Sequence, residues 1–277
     1  MFVVDAQVHI WGPNTPERPW PAVHNKPHRE VAYGTDELVR DMDEAGVNRA
    51  VIVPPSWEGE RNDLAFDAVK RFPGRFAIMG RVDPEQPDRE RLRRWREQPG
   101  MKGLRFTLRR DYQRAPLLEG RMDWIWEECD ALRLPVMVMV ALEHTHLIEQ
   151  AAGRFPNVRF IMDHCALSSE YRDDEAFKGF DNLIKIAHRP NIGVKVSALP
   201  CYTTDKYPFP YLQPYIRKVY DAFGAKRMFW GTDVSRLPCT YRQAITHFTE
   251  ELPFLTAEDK EWVMGRALCE WLEWPIR

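Results

Sequence analysis

Eight short apolar runs punctuate the chain, and a longer amphipathic stretch follows each of them. Runs this short and this continuously apolar suit strands buried on both faces, and such strands occur in parallel sheets whose crossovers are helices. They predict strands at 2–5, 49–54, 76–82, 103–106, 136–140, 158–164, 192–197 and 228–234. Helical spacing of apolar residues predicts helices at 36–46, 62–72, 88–97, 122–133, 144–154, 174–187 and 211–223, then a helical tail over 241–273. Gly46 supplies the left-handed stop of the first helix, and Pro54-Pro55 ends the second strand. Alternation repeated eight times within 277 residues matches the rhythm of a (β/α)8 TIM barrel, an α/β fold in a single domain over 1–277. An open doubly wound sheet is the competing architecture, because alternation does not by itself require closure.

Charge narrows the classes of function. Lys and Arg total 39 against 41 Asp and Glu, a net charge of −2, whereas nucleic-acid binding needs a basic excess gathered on one face. The run RERLRRWR (89–96) reads as a solvated helix face with acids close by. No apolar run approaches the roughly 20 residues that cross a bilayer. The N-terminus MFVVDAQVHIW enters a strand pattern directly, with no basic region or cleavage site, so a cytoplasmic protein is expected. Cys129, Cys165, Cys201, Cys239 and Cys269 form no C-x-x-C pair and are expected as reduced thiols. The sequence does not fix the oligomeric state; Trp262, Trp271 and Trp274 in the tail are expected against the barrel wall.

In a barrel the C-terminal strand ends open into one mouth. The first strand ends in Asp5, Gln7 and His9, spaced by two and therefore on one face. Arg105 ends the fourth, Asp163-His164 the sixth, Lys195 and Ser197 the seventh, and Asp233 the eighth. Burying so many polar groups is costly unless they are paired, and a catalytic constellation explains them together. The loop 11–34 after the first strand is rich in Pro and aromatic residues; Trp11, Trp20 and Tyr33 fit it either as a lid or as a stapled surface loop.

Three motifs then carry a resemblance. V-D-A-Q-V-H-I-W (4–11) resembles the opening D-x-H-x-H strand of the amidohydrolase superfamily, M-D-H-C-A (162–166) its sixth-strand histidine motif, and W-G-T-D (230–233) its eighth-strand aspartate motif. The pattern is most similar to the amidohydrolase-related branch that contains 2-pyrone-4,6-dicarboxylate lactonase and the sugar lactonases. The resemblance implies lactone hydrolysis. It also implies a departure: Gln7 stands where the family has its first histidine, and VMVMV is followed by Ala141-Leu142 with no His or Lys at the strand end. His144 and His146 lie just beyond, at a helix start. A catalytic zinc needs about three protein ligands plus water, and His9 and Asp233 alone remain of the matched set. No firmly held metal or other cofactor is expected; a weakly held Zn2+ or Mn2+ at His9 and Asp233 is the alternative.

Lactone hydrolysis needs a nucleophilic water, a base and oxyanion donors. The resemblance makes Asp233 the base, with His164, His9 and Gln7 as donors to the carbonyl. Arg105, Lys195, Arg236 and Trp57 are expected to bind the substrate, a small anionic organic molecule carrying a carboxylate or sulfonate that suits the guanidinium fork. Arg109 and Arg110 read as solvated, and Arg61 and Tyr202 lie on loops of unread orientation. Two alternatives remain: non-oxidative decarboxylation of an aromatic or muconate-type acid, and an inactive ligand-binding relative.

Overall fold

The computed structural model describes residues 1–22 and 26–276. Eight strands, β1 (Val4–Val8), β2 (Arg49–Ile52), β3 (Phe76–Gly80), β4 (Met101–Thr107), β5 (Val136–Met139), β6 (Phe160–Met162), β7 (Ile192–Ser197) and β8 (Met228–Gly231), pair in chain order, every pair parallel. The sheet curls into the expected TIM barrel, and β8 comes back to β1. There the Asp233 N–H donates to the Gln7 carbonyl at 2.9 Å. The Asp5 carboxylate accepts from the Thr232 N–H (2.9 Å), the Thr232 hydroxyl and the Tyr241 hydroxyl (2.7 Å). Asp5 thus faces the seam between first and last strand, as a structural fastener rather than a mouth residue. Gly103 in β4 has a comparable packing reason: a Cβ there would lie 2.1 Å from the Pro135 carbonyl oxygen.

The helices follow the expected order with shifted ends. The first spans Thr35–Ala45 and stops at Gly46, φ 85°. The expected 174–187 helix is two pieces, Asp173–Phe177 and Asp181–Lys185, separated by Gly179 at φ 79°. The tail is not one helix: Tyr241–Thr249 ends ahead of Pro253, and a capping box at Thr256 starts the next segment at Ala257. Asp111–Leu118 forms an additional helix between β4 and the expected helix at Asp123–Leu132.

Loop 11–34 is tied at its base by paired backbone hydrogen bonds between Trp11 and Tyr33, 3.0 and 3.1 Å. Both rings are buried, and the Trp20 indole N–H donates to the Gly12 carbonyl. The part of this loop at 23–25 lies outside the described residues. Trp262 and Trp274 are buried, and Trp271 packs edge-on against Phe229 of β8, so the tail aromatics do cover the barrel. All five cysteines are free thiols. Among the described residues no helix is long and apolar enough to cross a membrane.

Candidate active site

The mouth of the barrel is marked by backbone strain. His164, Cys165 and Ala166, directly after β6, all have positive φ (50°, 53° and 59°), as do Ala198 after β7 (54°) and Asp233 after β8 (54°). Left-handed conformations cost an L-residue about 1–2 kcal/mol each, and such strain concentrates where side chains must be aimed. Here it turns the chain off three neighbouring strands so that His164 and Asp233 face Gln7 of β1 and His9 just after it.

Gln7 sits at the centre of that group. Its Oε1 accepts from the Lys195 ammonium at 2.5 Å. Its Nε2 lies 3.2 Å from His9 Nε2 and 3.1 Å from His164 Nε2. With the ammonium fixing which end of the amide is oxygen, the NH2 donates one hydrogen to each imidazole. Both imidazoles therefore carry their own proton on Nδ1: His9 donates to the Val53 carbonyl (2.6 Å) and His164 to the Ser197 hydroxyl (2.8 Å). Burial pushes the imidazolium form down, to about 4 for His9 and, with Arg236 adding to it, to about 3 for His164. Two neutral rings thus turn lone pairs, not N–H groups, toward the same point.

Asp233 lies beside them and is 2% exposed. Its Oδ2 accepts from Arg236 Nε at 2.6 Å, and the Arg236 Nη2 donates on to the Tyr202 hydroxyl at 2.9 Å. Its Oδ1 is buried with no hydrogen-bond partner, 3.4 Å from His9 Nε2. Burial opposes ionisation of this carboxyl, but Arg236 and the surrounding imidazoles hold it well below the usual carboxylate range. One oxygen is anchored; the other is an ionised acceptor facing the cavity.

Beneath the floor, one carboxylate meets three cations. Asp163 Oδ2 accepts from Arg105 Nε at 3.1 Å, and the Lys195 ammonium lies 2.5 Å from Oδ1, an ion pair off the hydrogen-bonding axis. Arg81, at the end of β3, adds a guanidinium that burial, Arg105 and the pull of Asp163 leave at about 9. Its Nη1 is buried without a partner. Burial disfavours the Asp163 carboxylate, yet Lys195 and Arg105 hold its carboxyl down, so it stays charged. The cluster keeps a positive excess in a dry setting, where charge acts over longer range than in water.

Above it opens a cavity of about 760 Å³, lined by Gln7, His9, His164, Asp233, Arg105, Arg236 and Trp57 of the expected residues. Lys195 is fully buried below this surface, held by Gln7, Asp163 and the Met137 sulfur, and does not reach a bound molecule. Arg105 does line the cavity, with its Nη2 against only the Met139 sulfur. Four cavity cations were not expected from sequence: Arg109, Arg110, Arg172 and Lys26. Arg109 is held by Ser168 and Ser169, so its solvated reading is revised, whereas Arg110 is exposed as expected, at the rim of the cavity. His28 was also missed; its Nδ1 pairs with the Ser235 hydroxyl at 2.7 Å and its ring stands 5.8 Å from His9. A lone histidine within a Pro-rich loop gave no periodic signal to place it. Arg61 instead reaches the Glu17 carbonyl in a neighbouring groove. His146 faces solvent, and His144 pairs with Glu143 away from the His9 group.

These donors do not fit a divalent ion. Two imidazole lone pairs and a carboxylate converge, but the Gln7 NH2 occupies the point they share and Arg236 already neutralises Asp233. Among the described residues no group of three or more His, Cys, Asp or Glu side chains is placed to hold a metal.

A family model described as amidohydrolase matches residues 4–267. The chain is 28% identical over 247 residues to the L-fucono-1,5-lactonase of Burkholderia ambifaria, covering 85% of this chain and 82% of that one. It is 22% identical over 231 residues to the 4-sulfomuconolactone hydrolase of Hydrogenophaga intermedia, covering 83% and 73%. Among solved structures, an amidohydrolase of Burkholderia multivorans with bound zinc matches at a TM-score of 0.84 and 18% identity, over 99% and 100% of the two chains. That last match is a likeness of fold.

Proposed function

The chain belongs to the amidohydrolase family, and from that premise we propose that it opens a small anion-bearing lactone with Asp233 as base and without a resident metal. The observation that carries this is the divided carboxylate: Asp233 Oδ2 is fixed by Arg236 while buried Oδ1 has no partner. Both curated relatives are named as lactone hydrolases, which supports the reaction class.

A water donates one hydrogen to Asp233 Oδ1, the acceptor that the site leaves without a partner; the His9 Nε2 lone pair is already taken by the Gln7 NH2. Oδ1 takes one proton as the water oxygen bonds to the lactone carbonyl carbon. The carbonyl oxygen becomes an oxyanion, the ring C–O bond breaks, and the proton on Asp233 passes to the leaving alkoxide. The product is a hydroxy acid, which loses its acidic proton to solvent. A carboxylate held this far down is a weak base in the empty site. The developing oxyanion and the substrate anion share the field of Arg236 and raise its proton affinity when it is needed.

The donor role expected of His9, His164 and Gln7 is reassigned. Gln7 directs both N–H groups at imidazoles, and the imidazoles present lone pairs, so the available oxyanion donors are Arg105 and Arg236. Arg109, Arg110 and Arg172 on the β4 and β6 side suit the substrate anion. The test is a pH-indicator screen of lactones with and without a carboxylate or sulfonate. Acid release confined to the anionic lactones is expected. Release of carbon dioxide without ester cleavage would replace this reading by decarboxylation, and no turnover with tight binding would replace it by ligand binding.

A further inference from the structure

The geometry points to the Lys195–Gln7 pair as a built-in substitute for a divalent ion, a device that both excludes metal and does the positioning a metal would do. This deepens the metal-free part of the reading above and rests on it, whatever the substrate is.

A metal shared by two imidazoles does two things: it holds both Nε2 atoms at a fixed separation and keeps both rings as Nδ1-protonated neutral ligands. Here the Gln7 NH2 does both, at 3.2 Å from His9 Nε2 and 3.1 Å from His164 Nε2. A glutamine amide is free to turn over, and the turned form would aim its oxygen at two lone pairs. Lys195 prevents this. Its ammonium, fully buried, lies 2.5 Å from Gln7 Oε1, where only an acceptor is tolerated. Asp163 in turn holds the ammonium, 2.5 Å from Oδ1. The cation has moved from between the imidazoles to behind the amide, and its effect arrives through the amide dipole. A divalent ion entering the site would have to displace the NH2 from both rings and then stand close to an ammonium that has no route to solvent. Lys195 is therefore a positioning residue; it touches neither the cavity nor the reacting atoms.

The test reads metal content, which a merely structural lysine would not raise when removed. Wild-type protein, Gln7→His and Gln7→His/Lys195→Met are incubated with excess zinc chloride, desalted and assayed by elemental analysis. The expected result is below about 0.1 zinc per chain for wild type and Gln7→His, and about one per chain for the double variant. One zinc per wild-type chain overturns the inference and the metal-free reading together. One zinc on Gln7→His removes the part given to Lys195. None on a folded double variant refutes the device while leaving metal-free turnover, read separately in the presence of a chelator, intact. Should the double variant fail to fold, wild-type histidine tautomers decide the matter by nitrogen NMR. Both His9 and His164 are expected as Nδ1–H neutral rings between pH 6 and 9, and an Nε2–H ring at either position overturns the proposal.

Discussion

At the scale of single residues, the site separates groups that change charge from groups that hold it. Asp233→Asn keeps the shape of the side chain and an oxygen for Arg236, but removes the ionised Oδ1. The expected loss in kcat is about 100- to 10,000-fold, the usual contribution of a positioned base, with the far-ultraviolet circular dichroism unchanged. A variant retaining more than a tenth of the rate would show that the base is elsewhere. Arg105 has the opposite role. Its Nε is committed to Asp163 at 3.1 Å, while Nη2 faces the cavity against a thioether. Charged hydrogen bonds are worth about 1.5–3 kcal/mol, so Arg105→Met should weaken kcat/KM for an anionic lactone by roughly 10- to 150-fold. A lactone without the anion should lose a similar factor, because Arg105 serves the oxyanion of both substrates. A much smaller loss on that substrate would move Arg105 to the substrate anion.

At the scale of elements, the site is made by the way strands end. The left-handed run 164–166 after β6 is strained at three successive L-residues, and Ala166, buried at 2% with φ 59°, carries no reacting group. Ala166→Gly removes about 1–2 kcal/mol of left-handed strain and adds about 0.5–1 kcal/mol of unfolded-state entropy. The strain is the larger quantity, so the variant should be more stable by up to about 1.5 kcal/mol in urea unfolding. Destabilisation would mean that the Ala166 methyl packs more strongly than the backbone strains. This strain marks the limit of what the sequence made legible. Strand count, strand order and the residues Gln7, His9, His164 and Asp233 at one rim were readable, because apolar periodicity and spacing by two are local signals. Lys195 and Arg105 were readable as polar residues inside apolar strands, but not the fact that Asp163 ties them together beneath the floor. That pairing joins β4, β6 and β7 across the barrel, and no local pattern records it. Arg109 looked like solvated loop because its partners Ser168 and Ser169 are about 60 residues away. The tail reads as helical over 241–273 without a break because its periodicity continues across Pro253, whose missing N–H breaks the hydrogen bonds but not the apolar pattern.

For the whole molecule, one buried carboxylate closes the barrel and should show in the pH dependence of stability. Asp5 is fully buried without a cation, accepting from the Gln7 and Thr232 N–H groups and from the Thr232 and Tyr241 hydroxyls. Burial pushes its carboxyl up from 3.8 to about 6 against the pull of those four donors. A group whose pKa is higher folded than unfolded stabilises fully below the unfolded value, and that contribution is lost as pH rises through the folded one. Between pH 3.8 and 6, Asp5 should therefore withdraw about 3 kcal/mol, taking roughly 1.4 kcal/mol per pH unit. Buried His9, His164 and His247, lowered by burial to about 4, 3 and 4, act in the opposite direction, since each resists the charge that the unfolded chain accepts near 6.5. The raw stability profile of the protein mixes these, but Asp5→Asn removes the first and keeps the histidines. Subtracting the variant's unfolding free energy from that of wild type, at intervals from pH 4 to 7, isolates the seam between β1 and β8. The difference should fall with pH up to about 6 and then level off. A difference that instead rises through this window would mean that the four donors outweigh burial, and that the barrel is closed by an ionised carboxylate at every working pH.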